Sequence, residues 1–262
     1  MRKNIFNWLL PLLGGVILYL VWILFKLVGG QEDWVLPWPQ QILAALGEEF
    51  SILSSAAWQT GMAALVGFSC AVVVGVVLSM LLASADWIRR MWYPWVVFFQ
   101  MVPVIVLAPI FVLWYGQGLP SIVAITFMIT FFPIVANTTM GLVSTDKQLI
   151  DLFTTLNASP RTEVMLLRVP FALPYFLTGL KISGTLAPIG ALVGDFYAGE
   201  ASGGRGGLGY LVVSYSSQLE TAALFATALV ACLLGFFFVF GVTYLHWALL
   251  HNWHESAVQE ES

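Results

Sequence analysis

Residues Thr145–Pro174 read TDKQLIDLFTTLNASPRTEVMLLRVPFALP, a long polar interval between strongly apolar stretches. Leu149, Leu152, Phe153 and Leu156 recur at i, i+3, i+4 and i+7, which puts one apolar stripe on a short helix. Thr145 and Gln148 have the spacing of a capping box at its start. Asn157 suits its end, because asparagine tolerates the left-handed backbone that closes many helices. Ser159 and Pro160 then restart the chain as a second helix, with an N-cap and a proline at the first position, and Pro170 and Pro174 close the unit. An apolar stripe of this kind has to dock. Periodicity alone leaves open whether it lies on a membrane surface or against another protein.

The composition around this unit excludes a soluble protein. The chain has 262 residues, 60% of them hydrophobic and 9% charged, against about 25% charged in soluble domains. Mean hydropathy is +0.89. An all-α integral membrane protein is expected. A net charge of −4 leaves no basic face for nucleic acid, and the three histidines have no metal-ligand spacing, so neither nucleic acid nor a cofactor is expected. Cys70 and Cys232 fall inside apolar spans and read as buried small hydrophobes rather than a disulfide. No nucleophile, base and orienting group come together along the chain, which argues against a membrane enzyme.

Six spans can be placed, near Trp8–Val28, Trp58–Ala83, Met91–Tyr115, Pro120–Val143, Pro174–Tyr197 and Thr221–Leu249. The first follows Arg2 and Lys3, is long, and has no small-residue cleavage site after Gly30, so it reads as a retained anchor. Residues 1–250 then form one membrane domain, and 251–262 an acidic, disordered tail. Arg2, Lys3, Arg89, Arg90, Lys147, Arg161 and Arg168 share one side, while Arg205 is alone on the other. The positive-inside rule makes Thr145–Pro174 and both termini cytoplasmic. Residues 29–58 carry four carboxylates and no Lys or Arg. Pro39 starts a helix there that lies flat on the outer surface, with Ile42, Leu46, Phe50 and Leu53 on one face. Trp34, Trp38 and Trp58 fit an interfacial aromatic belt.

Two spans carry stripes of small residues: Ala63, Gly67, Ala71, Gly75, Ser79 and Ala83 in the second, and Gly179, Ser183, Ala187 and Ala191 with Gly190 and Gly194 in the fifth. Such stripes let other helices approach closely. Pro94, Pro103 and Pro109 interrupt the third span and Pro133 the fourth, so both are expected to kink or break, leaving backbone groups that need protein or water beside them. Around the interruptions stand Gln100, Met101, Pro103, Thr126, Thr130, Asn137 and Thr138, the candidates for lining a solute path. The competing reading has the threonines bonding to their own helix, with Gln100 and Asn137 joining helices. Lys26 reads as snorkelling at the outer end of its helix. Lys181 and Asp195 lie about 21 Å apart along the fifth span, too far to pair. Asp195 suits the mouth of a pathway, and Lys181 either the pathway or snorkelling toward the cytoplasm.

The run DLFTTLNASPRTEVMLLRVPFALPYFLTGLK (151–181) resembles the coupling segment of ABC-importer permeases, whose pattern is EAA, three residues, Gly, nine residues, Ile, one residue, Leu-Pro. Asp151, Leu152 and Phe153 fall on EAA, Asn157 on the glycine and Leu173-Pro174 on the closing pair, with Val169 near the isoleucine. The runs QMVPVIVLAPIFVLWYGQGL (100–119) and FFPIVANTTMGL (131–142) are similar to the nitrate, sulfonate, taurine and pyrimidine-precursor branch of these permeases. The likeness covers the chain from about residue 58 to 249.

It implies a permease whose residues Asp151, Leu152, Phe153, Leu156, Asn157, Ala158, Ser159, Pro160 and Arg161 engage an ATPase. It also implies a second copy forming a homodimer, two ATP-binding cassette subunits, and an extracytoplasmic solute-binding protein that delivers a small solute across a bacterial inner membrane. Gly207, Leu208, Gly209 and Tyr210 match the start of a short outer helix in such permeases. The chain itself has no Walker A sequence, so ATP hydrolysis falls to a separate subunit. The alternative is a self-sufficient secondary transporter, which would show an internal repeat and midplane ion sites; no such repeat is visible.

Overall fold

The computed structural model describes residues 2–30, 32–199 and 206–250. Arg205 and the tail 251–262 lie outside the described residues, as do the side chains of Arg2 and Lys3. The elements are α1 (Arg2–Gly29), α2 (Pro39–Glu48), α3 (Phe50–Ser84), α4 (Asp86–Gln100), α5 (Val104–Tyr115) and α6 (Leu119–Val143). They continue with α7 (Lys147–Thr155), α8 (Pro160–Glu163), a π-helical turn (Val164–Arg168), α9 (Val169–Ala198), α10 (Leu208–Gln218) and α11 (Thr221–Leu250). Among the described residues, five helices are long and apolar enough to cross a membrane when Pro160–Ala198 counts as one, and α4 with α5 makes a sixth span bent by 96°.

α6 is the axis of the bundle, packed most extensively against α9 and next against α3. Both small-residue stripes close on it. A β-carbon at Gly67 would lie 2.6 Å from Thr126 Cβ, and one at Gly75 2.9 Å from Ile134 Cγ2. From the other side, a β-carbon at Gly190 would stand 3.0 Å from Thr126 Cα, and one at Gly179 3.4 Å from Ile134 Cα. In lipid, where apolar surface gains little by leaving its solvent, this closeness is what holds helices together through dispersion and short polar contacts. Ser79 Oγ donates to Val135 O at 3.2 Å, and Ser183 Oγ to Thr130 O at 2.6 Å, fastening each stripe to the α6 backbone.

Several elements depart from the sequence expectations. α3 begins at Phe50, eight residues before Trp58, because the chain turns at Glu49 directly from α2 into a new helix. That turn takes Phe50, 70% exposed, away from the face that Ile42, Leu46 and Leu53 share against α10 and α11. The third span is two helices meeting at Met101–Pro103. Val102 is β-branched and precedes a proline, which biases it doubly against helical backbone. α6, by contrast, runs unbroken through Pro133. Pro170 and Pro174 do not end the second short helix either: it continues as one run from Pro160 to Ala198. The π turn, in which Val169 N donates to Val164 O, widens the helix where the Pro170 ring has to be fitted. Cys70 and Cys232 are free thiols on the outer surface of the bundle, not buried in it.

The two ends of the bundle differ. At one end lie α2, α10, the α1–α2 loop and the α5–α6 turn, joined by Gly118 N to Ala198 O at 2.7 Å and Thr221 Oγ1 to Trp34 O at 2.6 Å. Tyr215 on α10 donates to Glu49 at 3.3 Å, and burial together with that carboxylate pushes the phenol up to about 12. Lys26 does not snorkel. It is buried, paired with Asp33 at 2.7 Å, donates to Leu36 O, and stands 5.1 Å from the Trp38 ring centre, so it pins the α1–α2 loop. α7 and α8 lie at the opposite end, beyond the C-terminus of α6.

Candidate functional site

At that opposite end the chain between α6 and α9 forms a compact projection. Asp146, not Thr145, caps α7: its carboxylate accepts from Gln148 N at 2.8 Å. Thr145 is buried instead, and its hydroxyl has no partner among the described residues. The helix closes at Asn157, whose φ of 54° is the left-handed value. Asn157 N donates to Thr154 O and Ala158 N to Phe153 O, both at 3.0 Å. This is the doubly bonded Schellman closure, and it turns the chain sharply without spending a glycine. Ser159 then caps α8, its hydroxyl accepting from Thr162 N at 3.2 Å, with Pro160 at the first position. Glu163 and Arg168 pair at 2.7 Å across the π turn.

No residue of α7 is buried. Leu152 is 51% and Leu156 69% exposed, while Phe153 is half-buried. Asp151, Asn157, Ser159, Pro160 and Arg161 are exposed and Ala158 is half-buried. The apolar stripe is therefore presented outward by a short, rigidly capped helix along which no other helix among the described residues packs extensively.

The pathway candidates divide into two groups. Thr126, Thr130 and Thr138 are buried in the α3–α6–α9 core. Thr126 donates to Ile122 O at 2.9 Å and Thr130 to Thr126 O at 2.8 Å, each within its own helix. Asn137, half-buried, donates to Pro133 O at 2.8 Å beside Gly179. Gln100, Met101, Pro103 and Lys181 are exposed on the bundle surface. Lys181 lies half a turn from Ser183, which bonds Thr130 near the middle of α6, so its backbone stands close to mid-bundle rather than at a helix end. It makes no ion pair among the described residues. Thr178 and Thr185 flank it on the same exposed side of α9.

Asp195 is on the far side of the fold from α7. It is 2% exposed and joins three helices. Thr60 Oγ1 of α3 donates to Asp195 Oδ2 at 2.5 Å and accepts from Leu208 N of α10 at 2.8 Å, while Gly209 N lies 3.4 Å from the same carboxylate oxygen. The N-terminus of α10 is thus satisfied by a carboxylate and a hydroxyl from two spanning helices. Gly207 has to be a glycine, since a β-carbon there would fall 2.1 Å from Asp195 Oδ2. Thr60 was not singled out by sequence; a hydroxyl within a span was its one signal. Beside the carboxylate opens a cavity of about 290 Å³, lined by Trp58, Gln59, Met62, Leu119 and Ile122 among others.

Comparison with known proteins gives a consistent answer. Residues 71–249 match the family described as the binding-protein-dependent transport system inner membrane component. The chain is 38% identical to the formylaminopyrimidine transport permease protein ThiX of Halalkalibacterium halodurans, over 89% of this chain and 91% of that protein. It is 30% identical to the riboflavin transport system permease protein RibX of Chloroflexus aurantiacus, over 84% and 82% of the two chains. It is 26% identical to the taurine transport system permease protein TauC of Escherichia coli, over 84% and 80%. Among solved structures, an inward-facing MetNI methionine ABC transporter shares the fold, with a TM-score of 0.63 at 18% identity over 77% of this chain and 97% of the other.

Proposed function

Since this chain belongs to the family of inner-membrane components of binding-protein-dependent transport systems, and so is a membrane-spanning subunit of an ABC importer, we propose how its parts are used. Two copies form a symmetric dimer with the solute path between them, and two ATP-binding cassette subunits grip Asp151–Arg161 from the cytoplasm. ATP hydrolysis belongs to those subunits. Both termini and α7 face the cytoplasm, and an extracytoplasmic solute-binding protein delivers its cargo at the end built from α2 and α10. The cargo is a small solute of the nitrate, sulfonate, taurine or pyrimidine-precursor kind.

The observation that carries this reading is the outward-facing apolar stripe of α7, held by caps at both ends and left uncovered by the described residues of its own chain. A surface helix of this shape is a ready knob for a groove on a partner, and movement of the partner would pass through α8 and the π turn directly into α9. For the path itself, the exposed set supports the face of α9 around Lys181 and the broken α4–α5 span around Gln100, Met101 and Pro103. An ammonium and open helix ends are costly against hydrocarbon, so that face belongs against water or a second protomer. The three buried threonines then serve the packing of α6, and Asn137 borders it.

The test is ATP-driven uptake. Purified permease, ATPase and binding protein in vesicles should import solute only with ATP inside the ATPase-facing compartment, and the binding protein with solute should stimulate hydrolysis. Uptake that follows an ion gradient without ATP would favour the secondary-transporter alternative.

A further inference from the structure

We propose that Glu163 and Arg168 are a positioning pair for the transport cycle: their ion pair splints the π turn, so that movement imposed on α7 and α8 reaches α9 as the motion of one body. The inference rests on the importer reading. Two nitrogens of the Arg168 guanidinium reach the same carboxylate oxygen, Nε at 2.8 Å and Nη2 at 2.7 Å from Glu163 Oε1. Both side chains are partly buried, which spares the pair much of the solvent screening that weakens surface ion pairs. The spacing of the two residues is matched to this turn. Residues five apart in a regular α-helix stand about 140° apart around its axis and face away from each other. The i to i+5 closure of the π turn, in which Val169 N donates to Val164 O, brings them to one side. The pair forms in this register, and in forming holds it.

Little else stiffens the joint. Pro170 and Pro174 have no N–H to give the helical ladder, and in a regular α-helix the Pro170 ring would press on the Leu166 carbonyl, so the turn between α8 and α9 is both widened and short of backbone bonds. Val164, Met165 and Leu166 are exposed, and among the described residues α6 touches the π turn only lightly. α7 and α8 pack extensively against no spanning helix among the described residues, so they are tied to the bundle by residues 144–146 at the end of α6 and by the π turn at the start of α9. α9 in turn makes the most extensive helix contact of the fold, with α6, and carries Lys181 on its exposed face. A loose joint at 164–168 would let α7 and α8 follow an ATPase without moving α9.

The test uses the full chain bound to its ATPase subunits in lipid nanodiscs, with Thr185→Cys, on the exposed face of α9, spin-labelled in a Cys70→Ser, Cys232→Ser background. The distance between the two labels of the dimer, read with and without ATP in the absence of magnesium, reports movement of α9 with no solute required. ATP should shift that distance in the parent. Arg168→Met keeps the length of the side chain without its charge. In it the ATPase should still co-purify and hydrolyse ATP, once magnesium is added, within about twofold of the parent rate, while the fraction of molecules that shift falls roughly tenfold. The exchanged pair Glu163→Arg, Arg168→Glu should restore the shift, which a general loss of helix stability would not allow. If Arg168→Met does not fold, Glu163→Gln carries the same prediction. An unchanged shift in these single variants, or no recovery in the exchanged pair while its ATPase stays bound, would overturn the proposal. So would loss of the ATPase from Arg168→Met, since the pair would then belong to the docking surface. A parent that binds its ATPase yet shows no shift overturns this proposal alone, whereas a chain that binds no ATPase sinks the importer reading beneath it.

Discussion

Gly67 of α3 and Thr126 of α6 approach so closely that a β-carbon at position 67 would lie 2.6 Å from the threonine Cβ. Thr126 is also the residue against whose backbone Gly190 of α9 packs, so three helices meet at one residue. Gly67→Leu should cost about 1–3 kcal/mol or more, because α6 is held from both sides and has nowhere to shift. Gly235→Ala in α11, with nothing within 4 Å of the added carbon, should be neutral. Thermal unfolding and monodispersity in detergent separate the two; equal behaviour would mean that the second-span stripe faces lipid.

Asn157 carries the left-handed turn of the α7 closure. Asn157→Gly should leave expression and uptake near the parent level, since glycine adopts this backbone freely. Asn157→Val should cost roughly 1–2 kcal/mol locally through its branched β-carbon, and should reduce uptake while the membrane bundle stays intact. Uptake at matched protein level is the readout.

The outward stripe of α7 makes Leu152 and Leu156 the side chains with most to lose in a partner complex. The double change Leu152→Ala, Leu156→Ala should weaken ATPase association by about 2 kcal/mol or more, roughly thirtyfold, with little change in bundle stability. Co-purification of the ATPase measures it. Full retention of the partner would reduce α7 to a surface hairpin.

Thr60 accepts from Leu208 N and donates to Asp195, joining α3, α9 and α10. Thr60→Val keeps the volume but leaves the Leu208 N–H buried without its acceptor, at a cost of about 1–3 kcal/mol. The N-terminus of α10 should loosen first. Hydrogen exchange at residues 207–211 should rise while exchange across α6 does not.

Asp33, ion-paired with the buried Lys26, has its carboxyl held below the ordinary value of 3.8, chiefly by the Lys26 hydrogen bond and then by Gln41. A depressed carboxyl contributes stability that is present above 3.8 and is lost as the pH falls through the lower folded value. Order in the α1–α2 loop should therefore fade below about pH 4 in the parent. In Asp33→Asn that pH dependence should be absent, and protease sensitivity of the loop against pH would show it.

The chain's own pattern of residues determined the class of protein, the number of crossings and the place of the α7–α8 unit. Each of these depends on local physics: runs of apolar residues long enough for a bilayer, and turn chemistry such as Asn157 and Ser159-Pro160 that acts within a few residues. The two small-residue stripes were legible for the same reason, since four-residue spacing defines a helix face before any partner is known.

What the sequence left open was decided by contacts between segments far apart in the chain. Nothing near Asp195 in sequence marks Thr60 as its partner, 135 positions away, because that hydrogen bond exists only once α3 and α9 have both packed on α6. The same packing turned Thr126 and Thr130 inward and left Lys181 outside, a division that three polar residues in neighbouring spans do not reveal by spacing. Prolines were ambiguous on the same ground. Pro133 is carried within an unbroken α6 wedged between two helices, whereas the chain breaks at Met101–Pro103, where Met101 and Pro103 are exposed and the β-branched Val102 precedes the proline.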